Sequence, residues 1–245
     1  MPRDLLDGSL DLLLGACCVG CGRPGRLLCP GCAAQLPPGA RPAWPVPAPP
    51  GLATPWAAAE YAGTPRARVV GHKEHRLLAL RSPLARLLAQ AVAAALDQAP
   101  LGPTVLVPVP SRPVTVRTRG HDPTGAVTSG AARLLRGGGY DVLPVAMLRT
   151  RPGVVDQAGL GAVERAANLA GSMHCPPAAL RRLARRRRRA RLVVCDDVLT
   201  TGATAREAQR ALESVGLEVV AVAAVAATRR RLPPGPGAAP QSPDS

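Results

Sequence analysis

Large and aromatic side chains are almost missing from this chain. It has no Phe and no Ile, two Trp, two Tyr and a single lysine, Lys73. With aromatics at 2% there is little platform on which bases could stack, so any contact with nucleic acid should be electrostatic. No stretch approaches the on-the-order-of 18 uninterrupted apolar residues that a membrane-spanning helix needs, which argues against insertion.

What is present suffices for a core. Apolar residues make up 47% of 245, enough for one sizeable α/β domain plus a small appendage, and Ala, Val and Leu must fill the interior. The net charge of +15 and pI near 11.2 imply attraction to polyanions, whether nucleic acid or a phosphorylated ligand, or else a solvated basic surface. Leu14-Gly15-Ala16-Cys17 has the look of a lipoprotein cleavage box. Asp7 and Asp11 interrupt the preceding apolar run, however, and Arg3 stands beside Asp4 rather than in a positive cluster. Residues 5–18 therefore read as a short amphipathic helix, and the expected location is cytoplasmic.

Cys18-Val19-Gly20-Cys21 and Cys29-Pro30-Gly31-Cys32 are two C-x-x-C knuckles separated by seven residues, with nearby Gly letting the backbone turn its amides toward sulfur. Cys18, Cys21, Cys29 and Cys32 suit tetrahedral zinc, the alternatives being disulfides or a redox couple. Cys17 could replace Cys18. All four positions would be protein ligands with no general base nearby, so the zinc should be structural. Cys175 and Cys195 read as ordinary residues.

The stretch 191–205 carries the chemistry. Residues 192–195 are a short apolar run of the kind a buried parallel strand uses, and two adjacent acids, Asp196 and Asp197, follow it. A loop of Thr200, Thr201, Gly202, Ala203 and Thr204 leads into a helix with apolar residues at 205, 208, 211, 212 and 215, stopped by Gly216. Ligands of open α/β sheets bind beyond the carboxyl ends of strands, and free N–H groups at a helix N-terminus favour an anion. The loop suits a phosphate, and the acids suit vicinal hydroxyls or hydrated magnesium. Together they describe a ribose 5-phosphate site.

Elsewhere the chain reads as a proline-dense linker over 37–55, a strand from Trp56 to Tyr61 with a turn after it, and an amphipathic helix over 83–97. Strands follow at 104–109, 141–148 and 218–228, then a Pro/Gly-rich tail. The arginines from 181 to 191 read as a long basic loop or, more sharply, as a contact with a phosphate backbone.

Residues 193–205 resemble the 5-phosphoribosyl-1-pyrophosphate (PRPP) motif of type I phosphoribosyltransferases. The resemblance narrows to the ComF family, phosphoribosyltransferase-like proteins associated with DNA uptake. The four-cysteine cluster, then Tyr61, Gly63, Arg66 and Lys73, then Val-Pro-Val-Pro at 107–110, Arg119-Gly120 and the PRPP motif follow that family's order. His121, Asp122 and Pro123 depart from it. Gln157, Arg165 and Asn168 match a stretch that looks like a flap.

The resemblance implies an α/β fold: a mainly parallel sheet of type I phosphoribosyltransferase kind over 56–231, flanked by helices. A zinc-binding domain over 1–36 would precede it and a disordered tail over 232–245 follow. It implies that Asp196 and Asp197 hold ribose hydroxyls and that residues 200–204 cradle the 5-phosphate. Ser111 and Arg112 would meet pyrophosphate, with Arg112, Arg119 and Lys73 stabilising its departure and magnesium accompanying PRPP. The alternative it raises is a non-catalytic accessory binding single-stranded DNA beside a DNA-uptake motor protein.

Overall fold

The computed structural model describes residues 17–35, 37–74, 77–98, 102–111, 122–151, 169–187 and 189–228. Outside these fall nearly all of the helix expected over 5–18, together with Arg112, Arg119, His121, the stretch holding Gln157, Arg165 and Asn168, and the tail. The side chain of Lys73 is also outside them.

One six-stranded sheet organises the described chain. Its strands are β1 (Arg41–Pro42), β2 (Pro55–Glu60), β3 (Thr104–Pro108), β4 (Val142–Pro144), β7 (Arg191–Leu199) and β8 (Val219–Ala227), in the order β1-β2-β8-β7-β3-β4. Every pairing is parallel except that of β1 with β2. Parallel strands covered on both faces read as continuous apolar runs. Accordingly 192–195 and 222–226 are fully buried. The expected final strand is shortened by a residue at each end. A separate antiparallel ribbon pairs β5 (Arg149–Thr150) with β6 (Met173–His174); of the strand expected over 141–148 only the three residues of β4 are strand, and β5 begins after it.

Helices cover both faces. On one side lie α2 (Gly63–Glu74), α3 (Arg81–Asp97) and α4 (Pro123–Gly137), packed on Val193, Cys195 and Ala223. On the other lie α5 (Pro177–Arg186) and α6 (Ala203–Glu213), packed on Val194, Val222 and Ala224. A single-turn helix, α1 (Pro30–Ala34), belongs to the cysteine segment. Without Phe or Ile, the layers close by approaching one another. A Cβ built on Gly130 of α4 would stand 2.8 Å from the Cβ of Ala85 on α3, so any side chain there would push the two helices apart.

Two helices stand where no helix is expected. The segment after Tyr61, expected to turn, is α2. The Thr/Ser/Gly-rich stretch after residue 122 is α4, whose N-cap Asp122 accepts the Gly125 N–H at 3.1 Å with Pro123 in the first turn. The arginine run also needs correction, because its first half is helical rather than a basic loop. Ala179 and Leu183, one turn apart, bury one face of α5, leaving Arg181, Arg182, Arg185 and Arg186 exposed on the other. The proline-dense segment is extended and also packed. Arg41–Pro42 forms the sheet edge, where proline is tolerated, and Leu52 enters the core. No helix among the described residues is long and apolar enough to cross a membrane.

A buried charge joins the ribbon to the main domain. Glu207 of α6, 4% exposed, accepts the Met173 N–H at 2.9 Å and pairs with Arg210, whose guanidinium also donates to the Met173 carbonyl. Burial works against the Glu207 carboxylate. The bonds from Arg210 and from the Met173 and Gly171 N–H groups outweigh burial and hold its pKa below the ordinary value. A depressed carboxyl contributes stability above the unfolded-state value of about 4.3 and loses it as pH falls through the folded value. Glu207→Gln is therefore expected to cost about 1.5–3 kcal/mol at pH 7, with the deficit shrinking below about pH 4. Guanidinium unfolding at pH 7 and pH 3.5 measures both; equal midpoints at pH 7 would refute the pair's contribution.

Candidate functional site

The carboxyl end of the sheet is uneven, and the unevenness makes a crevice. β7 pairs with β3 from Arg191 as far as Cys195, where the Val109 N–H makes a last bond of 2.8 Å to the Cys195 carbonyl. Its pairing with β8 continues to Leu199. Asp196 and Asp197 thus lie within β7, not after it as the apolar run suggests, but beyond the end of β3. The connections leave in opposite directions. β3 leads through α4 on one face to β4, whereas β7 leads through α6 on the other face to β8. Adjacent parallel strands whose connections diverge form the switch point at which open α/β sheets bind ligands.

Asp196 is 8% exposed, and its Oδ1 accepts the Asp197 N–H at 2.8 Å; Oδ1 of Asp197 accepts the Val198 N–H at 2.9 Å. Each carboxylate is aimed by the N–H group of the residue that follows it. Burial pushes the Cys195 thiol upward, and the Asp196 charge adds to that, so Cys195 is a packing residue rather than a nucleophile.

Thr200 is exposed, and the chain then turns through Gly202 at φ +74° into α6. Thr201 Oγ1 accepts the Ala203 N–H at 3.4 Å, and the Arg206 N–H bonds the Gly202 carbonyl at 2.8 Å to start the helix. The first-turn N–H groups of α6, including that of Thr204, have no carbonyl one turn before them, which suits an anion. Gly202 is required twice over. Its φ favours glycine, and a Cβ there would meet Pro45 at 3.0 Å, Leu52 at 3.2 Å and Pro49 at 3.3 Å.

Those contacts come from the proline-dense segment, which sequence reasoning did not connect with the loop. Gln209 clamps it, accepting the Ala53 N–H and donating to the Gly51 carbonyl, both at 2.9 Å. Arg206 donates to the Pro50 carbonyl at 3.0 Å. No local pattern marks Arg206 or Gln209 for this, since their partners are 156 and 158 residues away.

The remaining candidates divide. Ser111 lies just past the end of β3, and its hydroxyl donates to Asp122 Oδ1 at 3.2 Å, so the carboxylate that caps α4 also holds this turn. Arg112 and Arg119 lie outside the described residues. Lys73 falls in the last turn of α2, about 15 Å along the helix from Gly63. Cavities of about 630 and 620 Å³ lie at the opposite end of the sheet, where Gly102, Pro103 and Arg191 line both. Volume and chemistry thus point to different ends. The carboxyl end is the better candidate, because paired acids and a phosphate-type loop converge there.

The four cysteines of the amino-terminal segment meet. The Sγ atoms of Cys18, Cys21, Cys29 and Cys32 all lie within 4.8 Å of one another. Four sulfurs bound to one zinc would be about 3.8 Å apart; Cys21 and Cys29 are 3.7 Å apart. The Cys29 N–H points at Cys18 Sγ and the Cys32 N–H at Cys29 Sγ, each at 3.4 Å. Cys17 is exposed, and it is the Cys18 sulfur that lies with the other three; none of the seven cysteines is in a disulfide. Burial works against the Cys18 thiolate, but N–H groups of Cys29, Gly20 and Cys21 outweigh it and bring the pKa to about 6. Cys32 is pushed up to about 12, first by its bond to Cys29 and then by burial and the neighbouring sulfurs. Four crowded sulfurs of this kind fit a dication, and with every position taken by protein the centre would be structural.

A family profile described as the phosphoribosyl transferase domain matches residues 150–235. That is about a third of the chain, and it spans the strand, the acids and the loop. No curated protein matches the chain. The matched segment, the mainly parallel sheet and its flanking helices make this a phosphoribosyltransferase-type α/β domain carrying an N-terminal four-cysteine cluster within metal-binding distance.

Proposed function

We propose that the chain binds PRPP with magnesium in the crevice beyond β3 and transfers its phosphoribosyl group to a nitrogenous acceptor, as a protein of ComF type. The observation that carries this is the placement of two acids and a phosphate-type loop on one strand at the point where neighbouring connections diverge.

Asp196 and Asp197 would accept hydrogen bonds from the two ribose hydroxyls, orienting C1 toward the acceptor. Residues 200–204 would hold the 5-phosphate through backbone N–H groups and the threonine hydroxyls. The carboxylates offer the hard oxygen donors that magnesium prefers, and the ion would neutralise charge on pyrophosphate. In the reaction, pyrophosphate leaves C1 with the bonding electron pair, the acceptor nitrogen forms the new bond to C1, and its proton is released. Arg112, Arg119 and Lys73 are the cations proposed to receive the departing charge. The zinc proposed at Cys18, Cys21, Cys29 and Cys32 takes no part in these steps.

Asp196→Asn combined with Asp197→Asn should weaken calorimetric binding of PRPP with magnesium by at least about 100-fold, the loss of two charged hydrogen-bonding groups at ~1.5–3 kcal/mol each, while the melting transition stays cooperative. Unchanged affinity in the folded variant would remove the two acids from the site.

The second reading, an accessory that binds single-stranded DNA beside a motor protein, is favoured by one observation. Arg181, Arg182, Arg185 and Arg186 stand exposed on one face of α5. Replacing the four by Ser should weaken binding of a single-stranded oligonucleotide and reduce the slope of log affinity against log salt by about 3 units. Binding and slope identical to the unmodified chain would exclude that face.

A further inference from the structure

Among the described residues the largest fully buried side chain is a charged one. Arg68, in the middle of α2, is 1% exposed. Its Nη2 donates to the backbone carbonyl of Cys32, and its Nε is buried without a hydrogen-bond partner. A guanidinium is permanently charged and carries five N–H donors, and burying it is costly unless opposite charge lies near. Among the described residues no carboxylate pairs with it. The ionisable groups near enough to act on it are the thiols of Cys32, Cys18 and Cys29.

The cysteine segment meets α2 along one stripe. A Cβ on Gly20 would stand 2.8 Å from both Cys32 Sγ and Thr64 Cγ2, and a Cβ on Gly71 would stand 3.7 Å from Val19. Thr64, Arg68 and Gly71 follow the i, i+4, i+7 spacing of a single helix face, with the buried cation at its centre. Four thiolates around one dication carry a net charge of −2, which gives Arg68 the opposite charge that its burial requires.

We propose that Arg68 is the counter-cation of the metal–thiolate centre and holds the cysteine segment against α2 only while the four sulfurs carry a metal. This rests on the reading that the cluster binds zinc. Without the dication nothing ties the four sulfurs to one point, the Cys32 carbonyl that accepts from Arg68 is no longer held in place, and contact along 64, 68 and 71 is lost. α2 begins two residues after Tyr61, whose N–H bonds the Ala227 carbonyl at the end of β8.

The test uses the full chain. Metal analysis comes first: one zinc per chain is expected, and a chain that neither retains nor takes up zinc overturns the metal reading and this inference with it. In Arg68→Met, cobalt substitution should still give four-sulfur charge-transfer absorption, while zinc affinity in competition with a chromophoric chelator falls about 10–100-fold. Arg68→Lys should recover most of the loss. Undiminished affinity in a zinc-binding Arg68→Met chain overturns the counter-cation role and leaves the metal reading standing. Hydrogen exchange of the unmodified chain keeps the proposal open to refutation if the variant does not fold. Chelation should accelerate exchange across 66–74 and spare 192–195 and 222–226, and unchanged exchange over 66–74 would overturn the coupling.

Discussion

The unequal length of two hydrogen-bonded ladders decides where chemistry can occur in this molecule. β7 is buried on both faces, so its backbone groups must find partners. β8 provides them to Leu199, but β3 stops at Cys195. Just past that point the side chains of Asp196 and Asp197 accept the N–H groups of residues 197 and 198. The same departure of β3 opens the crevice, and the opposite courses of α4 and α6 keep it open on both faces.

A core without Phe or Ile has to gain cohesion from close approach instead of large side chains. Strand β8 is Val and Ala throughout, and α3 and α4 meet where Gly130 faces Ala85. Small residues allow short distances, so dispersion contacts replace the area that aromatic residues would bury. The same economy governs the phosphate-type loop. Pro45, Pro49 and Leu52 fill the space beside Gly202, and Arg206 and Gln209 hold that rigid segment in place through backbone carbonyls and one N–H.

Charges buried at joints hold the parts together. Glu207 with Arg210 fastens the β5–β6 ribbon to α6, and Arg68 fastens the cysteine segment to α2. In each case a charged side chain bonds to the backbone of another element. A buried charge tolerates few alternative partners, so such joints define position as well as stability.

The sequence by itself determined what is local. The run 192–195, the two acids, the loop and the start of α6 are consecutive, and their polarity changes abruptly where the pairing with β3 ends. The cysteine knuckles are equally local, because two C-x-x-C pairs a few residues apart leave their sulfurs little choice but to meet. What only the tertiary structure decided depends on residues distant in the chain. It brought Cys18 rather than Cys17 to the other three sulfurs, folded the first arginines into α5 through the burial of Ala179 and Leu183, and made helices of 63–74, where the apolar period is weak, and of 123–137, where Gly, Ser and Thr dilute the spacing of Val127, Ala131 and Leu135. Arg68 and Cys32 are 36 residues apart, and Gln209 and Ala53 are 156 apart. Contacts of that separation are set by how layers pack, and packing leaves no periodic trace along a chain.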